Sequence, residues 1–261
     1  NYLLQHLLPD PLVIWSNETY LRSMASIIRL YVDHQLGAGQ SVPLDRDQAH
    51  YLFVVMRKGI GELVEVFNGQ DGEWLGRIVQ ANKKTGILLC EKQSKQLMMP
   101  RDLWLIFAPI KKARTDFIVE KATEMGVAQI MPVQTDFTNS ERIRADRLQN
   151  HVVEAAEQCG GTFVPKVLEL QKLSRLLDTW SDRQIMFCDE ELIGQPITLP
   201  EIQGPWAVLI GPEGGFSPAE RARLNAMLQG HPVPLGPRVL RSETAVVAAL
   251  TLWQTRIGDW R

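Results

Sequence analysis

The sequence predicts an α/β protein in two parts, a small β-rich N-terminal domain followed by a mostly parallel sheet with helices on both faces. Three observations carry this expectation. Residues 62–90, ELVEVFNGQDGEWLGRIVQANKKTGILLC, alternate apolar and polar side chains around a glycine-rich turn. Beyond Pro100, apolar runs of strand length alternate with amphipathic stretches of helix length. Two glycine loops, GPEGG at 211–215 and LGP at 235–237, each follow such a run and lead into a helix.

Length and composition bound the possibilities. The 261 residues, 45% of them hydrophobic, suffice for two cores. A formal net charge of -2 means that any nucleic-acid surface is a local patch. Three cysteines, Cys90, Cys159 and Cys188, without C-x-x-C spacing fit a reducing, cytosolic compartment and neither a disulfide framework nor a zinc site. The five histidines show no metal-ligand spacing, so no metal is expected. No apolar run approaches the roughly 20 residues of a membrane span.

The elements follow in order. Residues 1–23 read as an appended or mis-assigned extension, because Pro9 and Pro11 interrupt the apolar run, no basic leader or cleavage signal flanks it, and Met24 looks like a natural start. An extra N-terminal helix packed on the body is the competing reading. Residues 45–61, DRDQAHYLFVVMRKGIG, read as a helix carrying His50, Arg57 and Lys58 and stopped by Gly59 and Gly61. Taken alone, Arg57 and Lys58 are cations at a helix end, where they suit the macrodipole; on a small RNA-binding barrel they would contact phosphate. Residues 92–100, KQSKQLMMP, read as a linker. Then come a strand at 103–109, a helix at 115–126, a strand at 128–133, a helix within 141–161, a short strand near 164–170 and a helix around 174–180. Strands at 184–188 and 206–210, a helix at 217–230, a strand at 233–235 and a final helix from Ser242 complete the pattern.

Ligands of such sheets sit beyond the carboxyl ends of the strands. WAVLI, 206–210, delivers GPEGGFSPAE to that edge, where glycines let the main chain approach a ligand closely. Ser217, Pro218 and Glu220 read as a capping box with proline at the first helical position. The lysine of a phosphate-binding loop and the G-x-G-x-x-G pattern are both missing, so a phosphate cradle is not supported. The second loop, LGPRVLRSETAVVAAL at 235–250, presents Arg238 and Arg241 and enters a helix whose Ala245, Ala248 and Ala249 predict burial all round. Two bare loops at one edge would enclose a flat, largely uncharged group.

Together, IGPEGGFSPAE and LGPRVLRSETAVVAAL resemble the paired C-terminal signature of the bacterial 16S ribosomal RNA (uracil-N3) methyltransferases of the SPOUT superfamily. AHYLFVVMRKGIGELVEVFNGQDGEW resembles that family's N-terminal PUA-like barrel, and KKARTDFIVEKATEMGV, TNSER and EAAEQCG resemble its intermediate blocks. The resemblance implies a PUA-like RNA-binding barrel at 24–97 and a methyltransferase domain at 100–261. It also implies a trefoil knot in which the last helix passes through a loop, an exception to the rule against threading. S-adenosylmethionine as cofactor, a homodimer, and 16S rRNA of the small subunit as partner are implied as well. One departure stands out: this chain reads EQCGG where the family pattern continues EQSGR, so Cys159 and Gly161 replace a serine and an arginine. Arg142, Arg144 or Lys166 are the candidates to supply the missing charge.

The resemblance places Leu209, Ile210, Gly211, Gly215, Leu235, Gly236 and Leu240 around the adenosyl group, with Pro212 and Gly214 in the same loop and Cys188, Asp189 and Glu190 as a third wall. Glu213 either accepts from the cofactor's ammonium or ribose or binds its own loop amides. Arg241 and Arg238 are the candidate catalytic residues, cations that would stabilise the imidate developing as uracil N3 loses its proton. Arg241 paired with Glu243 for structure alone is the alternative. Arg57, Lys58, Lys111, Lys112, Arg114 and Arg142, with Lys83 and Lys84, are the candidate phosphate contacts. Cys188 has no histidine near it in sequence to activate it, and His50 and His151 read as structural or RNA-side residues. Two other classes stay open, an RNA-binding protein without catalysis and an α/β enzyme holding a nucleotide phosphate.

Overall fold

A computed structural model describes residues 27–139 and 142–260; the expectations for residues 1–23 and for Met24 lie outside them. The N-terminal part is a five-stranded sheet in the order β1-β3-β4-β5-β2, formed by β1 (Arg29–Tyr31), β2 (Ser41–Leu44), β3 (Leu63–Phe67), β4 (Glu73–Asn82) and β5 (Thr85–Lys95). The glycine turn joins β3 and β4 as an antiparallel pair. It closes through Asn68 Oδ1, which accepts from the Gln70 and Asp71 amides, and through positive φ at Gly69 and Gly72. The inward residues Val64, Val66, Ile78, Leu88 and Cys90 form the core of this sheet.

Two local expectations change. β5 runs on to Lys95, inside the stretch read as a linker, because Lys95 pairs with Glu73 across the sheet and its ammonium, with the Ser94 hydroxyl, meets the buried Glu73 carboxylate. The single helix read over 45–61 is α1 (Arg46–His50), capped by an Asp45/Gln48 capping box, which widens into a π-helical turn at Tyr51–Val55. Arg57 then takes the left-handed conformation, φ 55°.

The second sheet is parallel, in the order β12-β10-β11-β6-β7-β8, with β9 also beside β7. Its elements are β6 (Leu103–Phe107), α2 (Lys112–Glu124), β7 (Gln129–Gln134), α3 (Ala145–Cys159), β8 (Lys166–Val167), β9 (Gln171–Lys172), α4 (Leu173–Asp178), β10 (Gln184–Cys188), β11 (Trp206–Ile210), α5 (Pro218–Ala226), β12 (Gly230–Val233) and α6 (Ser242–Arg256). Strand alternation sends Leu105, Phe107, Val208 and Ile210 into a core shared with α2, α3 and α6, and sends Ile106, Phe187 and Leu209 into one shared with α4 and α5. Burial on both faces explains why these strands read as unbroken apolar runs.

The helix read to residue 230 ends at Ala226, and the strand read at 233–235 is β12 at Gly230–Val233. Parallel pairing requires this, since Ile185 faces Gly230 and Cys188 faces Val233. α6 is not buried all round within one chain: Ala245, Val246, Ala249, Leu250 and Trp253 are buried, Val247, Ala248 and Thr251 are half-buried, and Thr244 and Thr255 are exposed.

Arg29 joins the two parts. Its guanidinium donates to the carbonyls of Ala156, Glu157 and Gly161 at the end of α3, lies over the Phe67 ring and pairs with the fully buried Glu73. A cation there complements the free carbonyls and the dipole of the helix C-terminus. Met98 N–H donates to the Thr162 hydroxyl, which donates to Gln96 O, a second tie at the same seam. Among the described residues, no helix is long and apolar enough to cross a membrane.

Candidate active site

Three loops leave the carboxyl ends of β10, β11 and β12 and meet. After β11, the chain turns through Gly211 and Pro212, and the Gly215 amide donates to Pro212 O at 3.0 Å. Gly215 holds φ 67°, and Phe216 turns inward to pack edge-on against Phe187. α5 begins at once: Ser217 Oγ accepts from the Glu220 amide, and Glu220 Oε2 accepts from the Ser217 amide. The box read from sequence therefore fixes the loop to a helix start.

After β10, the Asp189 amide donates to Val233 O, tying this loop to β12. The Asp189 carboxylate is buried and takes Arg221 Nε on both oxygens at 3.1 Å. After β12, Gly236 sits at φ 109°, its carbonyl accepting from the Gly194 amide, and Arg241 is the N-cap residue of α6.

The three loops line one shared pocket at this edge of the sheet. Ile210, Val233, Leu235, Leu240 and Ala245 supply its apolar lining, Asp189 and Glu190 its carboxylates, and Arg238 its guanidinium. The glycines matter here. A Cβ on Gly211 would stand 3.3 Å from the Gly215 carbonyl carbon, and one on Gly215 would collide with the Glu190 carboxylate.

Of the residues named from sequence, Glu190, Ile210, Gly211, Pro212, Gly215, Leu235, Leu240 and Arg238 line this space. Leu209 is fully buried on the opposite face of the sheet, between Ile106 and Phe187 in the α4–α5 core. Gly214 faces Phe137, and Gly236 and Arg241 stand outside the lining. Glu213 is exposed and pairs with Arg114, which also reaches Glu243, so one arginine links the β11 loop to the start of α6. Arg241 is exposed, and Glu243 is taken by Arg114. Sequence reasoning missed Ile193, Phe216, Val233, Val239 and Ser242 in the lining; Val239 and Ser242 fall inside the second loop's signature and Phe216 directly follows the first loop, whereas nothing local marks Ile193.

Lys111 and Lys112 are exposed at the start of α2, near this edge, and Arg142 is exposed beyond β7. Arg57 and Lys58 belong to the first sheet's domain, where Lys58 pairs with Glu62 at 2.9 Å. Lys83 and Lys84 are exposed at the β4–β5 turn. Arg144 is bound by Asp146. Gly161, where an arginine was expected, offers its carbonyl to Arg29 instead.

Burial, and then the adjacent Asp189, push the Cys188 thiol far above its ordinary value, which keeps it neutral and unreactive. His151 lies among Asp116, Glu120, Glu154 and Arg147 between α2 and α3, away from the pocket lining. Among the described residues, no group of three or more metal-ligating side chains is placed to hold a metal.

Fold and pocket define an α/β ligand-binding domain of the kind that holds its ligand at the carboxyl edge, coupled to a small β domain. A family profile described as RNA methyltransferase domain matches residues 97–254, and one described as RNA methyltransferase PUA domain matches residues 44–89. The chain belongs to the RNA methyltransferase domain family.

A relative from Buchnera aphidicola subsp. Schizaphis graminum, called ribosomal RNA small subunit methyltransferase E, is 29% identical over 246 residues, covering 89% of this chain and 98% of its own. The protein of that name from Bacillus subtilis is 27% identical, with 86% and 95% covered. The crystal structure of the Neisseria gonorrhoeae ribosomal RNA small subunit methyltransferase E bound to S-adenosyl methionine superposes with a TM-score of 0.80 at 28% identity, covering 90% of this chain and 100% of that one. The structure of Lpg2936 from Legionella pneumophila, in complex with the bound cofactor SAM, gives 0.77 at 27% identity, with 89% and 99% covered.

Proposed function

We propose that this protein transfers a methyl group from S-adenosylmethionine to N3 of one uridine in the 16S rRNA of the small ribosomal subunit. The observation that carries the reading is the meeting of the two glycine loops around one pocket, in a chain whose relatives are named for small-subunit rRNA methylation. The pocket fits the cofactor chemically: apolar side chains suit an adenine face, the Glu190 carboxylate suits a cation, and glycines leave the main chain bare.

When bound, the cofactor supplies an electrophilic methyl group for in-line displacement. The residues of this chain then do the positioning. The loops at 211–215 and 235–240 hold donor and acceptor in line, which alone contributes a large part of such a rate enhancement. Arg238 in the pocket wall and Arg241 at its rim place positive charge where the uracil carbonyl oxygens become negative as the N3 proton leaves. The exposed cations Arg57, Lys111, Lys112 and Arg142 bind phosphate, and the target base turns out of its stack to reach the pocket. The reading assigns residues 24–97 to RNA binding and 100–261 to catalysis, in a cytosolic homodimer.

The threaded last helix belongs to the same reading. The half-open Thr244–Ala248–Thr251–Thr255 stripe of α6 supports its use as the dimer contact. Mass mapping of 16S rRNA from cells with and without the protein tests the function. One 3-methyluridine that disappears with the gene is the expected result; an unchanged methylation map overturns it.

A further inference from the structure

Beyond β7 the chain forms a tight turn whose side chains are almost all engaged. Thr138 N–H donates to Thr135 O, and Thr138 Oγ1 accepts from the Thr135 amide at 2.9 Å. The Asp136 amide donates to Glu220 Oε1 at 2.9 Å, and Ser217 Oγ donates to Asp136 Oδ2 at 2.5 Å. The turn is thereby anchored to the capping box that fixes the β11 loop. At its tip Phe137 is 45% exposed.

This ring is seated on the pocket loop. A Cβ on Gly214 would lie 3.4 Å from Phe137 Cβ and 3.7 Å from its Cδ2, ordinary van der Waals contact, so the Phe137 side chain packs beside the loop at residue 214. The next residue, Gly215, is pocket wall. On the neighbouring position, Glu213 takes Arg114 from the first turn of α2, whose start also carries the exposed Lys111 and Lys112. The same loop is thus flanked by a partly exposed aromatic ring and by cations.

Scattered exposed apolar side chains need no explanation, but a partly exposed aromatic ring packed on a pocket loop, which is itself paired with an arginine beside exposed lysines, has a specific use. A base drawn out of an RNA strand loses its stacking, and an aromatic face restores it at about 1–3 kcal/mol per base. Lysines are depleted in the cores of protein–protein contacts, so the surroundings favour a nucleic-acid strand over a second protein. We infer that Phe137 is a stacking platform for an unstacked base of the bound RNA, either the target uridine or its neighbour, held at the mouth of the pocket. The inference rests on the methyltransferase reading and adds a residue that touches substrate.

Three variants of the full chain test it: Phe137→Leu keeps apolar bulk without a π face, whereas Phe137→Tyr and Phe137→Trp keep the face. Expected is a fall in kcat/KM for a 16S rRNA fragment of roughly 5- to 150-fold in Phe137→Leu, with near-normal values in the two aromatic variants. S-adenosylmethionine affinity by calorimetry and melting temperature stay unchanged in all three. An independent arm irradiates the wild-type protein with the fragment carrying 5-iodouridine and maps the cross-link by peptide mass spectrometry; attachment at Phe137 is expected. Equal kcat/KM in Phe137→Leu, or cross-links that avoid Phe137, overturns the inference. A Phe137→Leu protein that sediments differently while binding RNA normally also overturns it, in favour of a protein contact. Cross-linking at Phe137 without any methyl transfer by the wild type sinks the methyltransferase reading and leaves the platform standing.

Discussion

The Glu190 carboxylate lies directly against Gly215, in the space where a larger residue would begin its side chain: a Cβ there would stand 2.9 Å from Glu190 Cδ. Any side chain at residue 215 would therefore displace the Glu190 carboxylate from the pocket wall.

Gly215→Val tests that contact. The change forces a β-branched residue to φ 67° and pushes Glu190 out of the wall. Backbone strain of about 1–3 kcal/mol is the expected stability cost. Loss of measurable S-adenosylmethionine binding in calorimetry is the expected functional result, and wild-type affinity would remove Gly215 from the site.

Arg241→Ala separates chemistry from cofactor binding. Arg241 is exposed outside the pocket lining, so calorimetry should return an unchanged S-adenosylmethionine affinity. Turnover on 16S rRNA should fall by roughly 100- to 1,000-fold, the usual loss for one donor to a developing oxyanion. Unaltered turnover would leave Arg238 as the remaining candidate.

The seam between the two sheets should be sensitive to acid. Burial alone would push the Glu73 carboxyl up, but hydrogen bonds from Arg29, Ser94 and Lys95 outweigh it and hold the pKa below its ordinary 4.5. A depressed folded-state value means that the unfolded chain takes the proton more readily. The stabilisation is therefore complete above pH 4.5 and is lost as pH falls through the lower folded value. Arg29→Met leaves a buried carboxylate short of its main partner and should cost about 3–5 kcal/mol in urea unfolding at pH 7. Arg29→Met with Glu73→Gln should recover much of that loss and flatten the acid limb; no recovery would mean that the α3 carbonyls, not Glu73, carry the cost.

Ala248→Glu places a charge on the half-open stripe of α6. Sedimentation velocity should report a monomer for this variant and a dimer for the wild type. A monomeric wild type, or a dimeric variant, would place the interface elsewhere.

Legibility followed the range of the interactions. The Ser217–Glu220 box is complete within a few residues, so local sequence suffices to read it. β10 and β11 were read with their observed bounds because each is apolar on both faces. The end of α5 and the start of β12 were misread because pairing with β10 sets them, and that partner lies more than a helix away in the chain. Gly214 was legible as bare, but the side chain packed beside it, Phe137, comes from a different strand's loop.

By itself the sequence determined the alternation of strands and helices, the caps, and the arrival of two glycine loops at one sheet edge, because periodicity and turn chemistry act over a few residues. Tertiary structure alone decided that Leu209 faces away from the pocket while Ile210 faces it, that Arg114 links Glu213 to Glu243, and that Arg29 closes the end of α3. Those outcomes depend on which face of a sheet a helix covers and on partners about 100 to 130 residues apart, and packing of the whole chain is the only step that selects them.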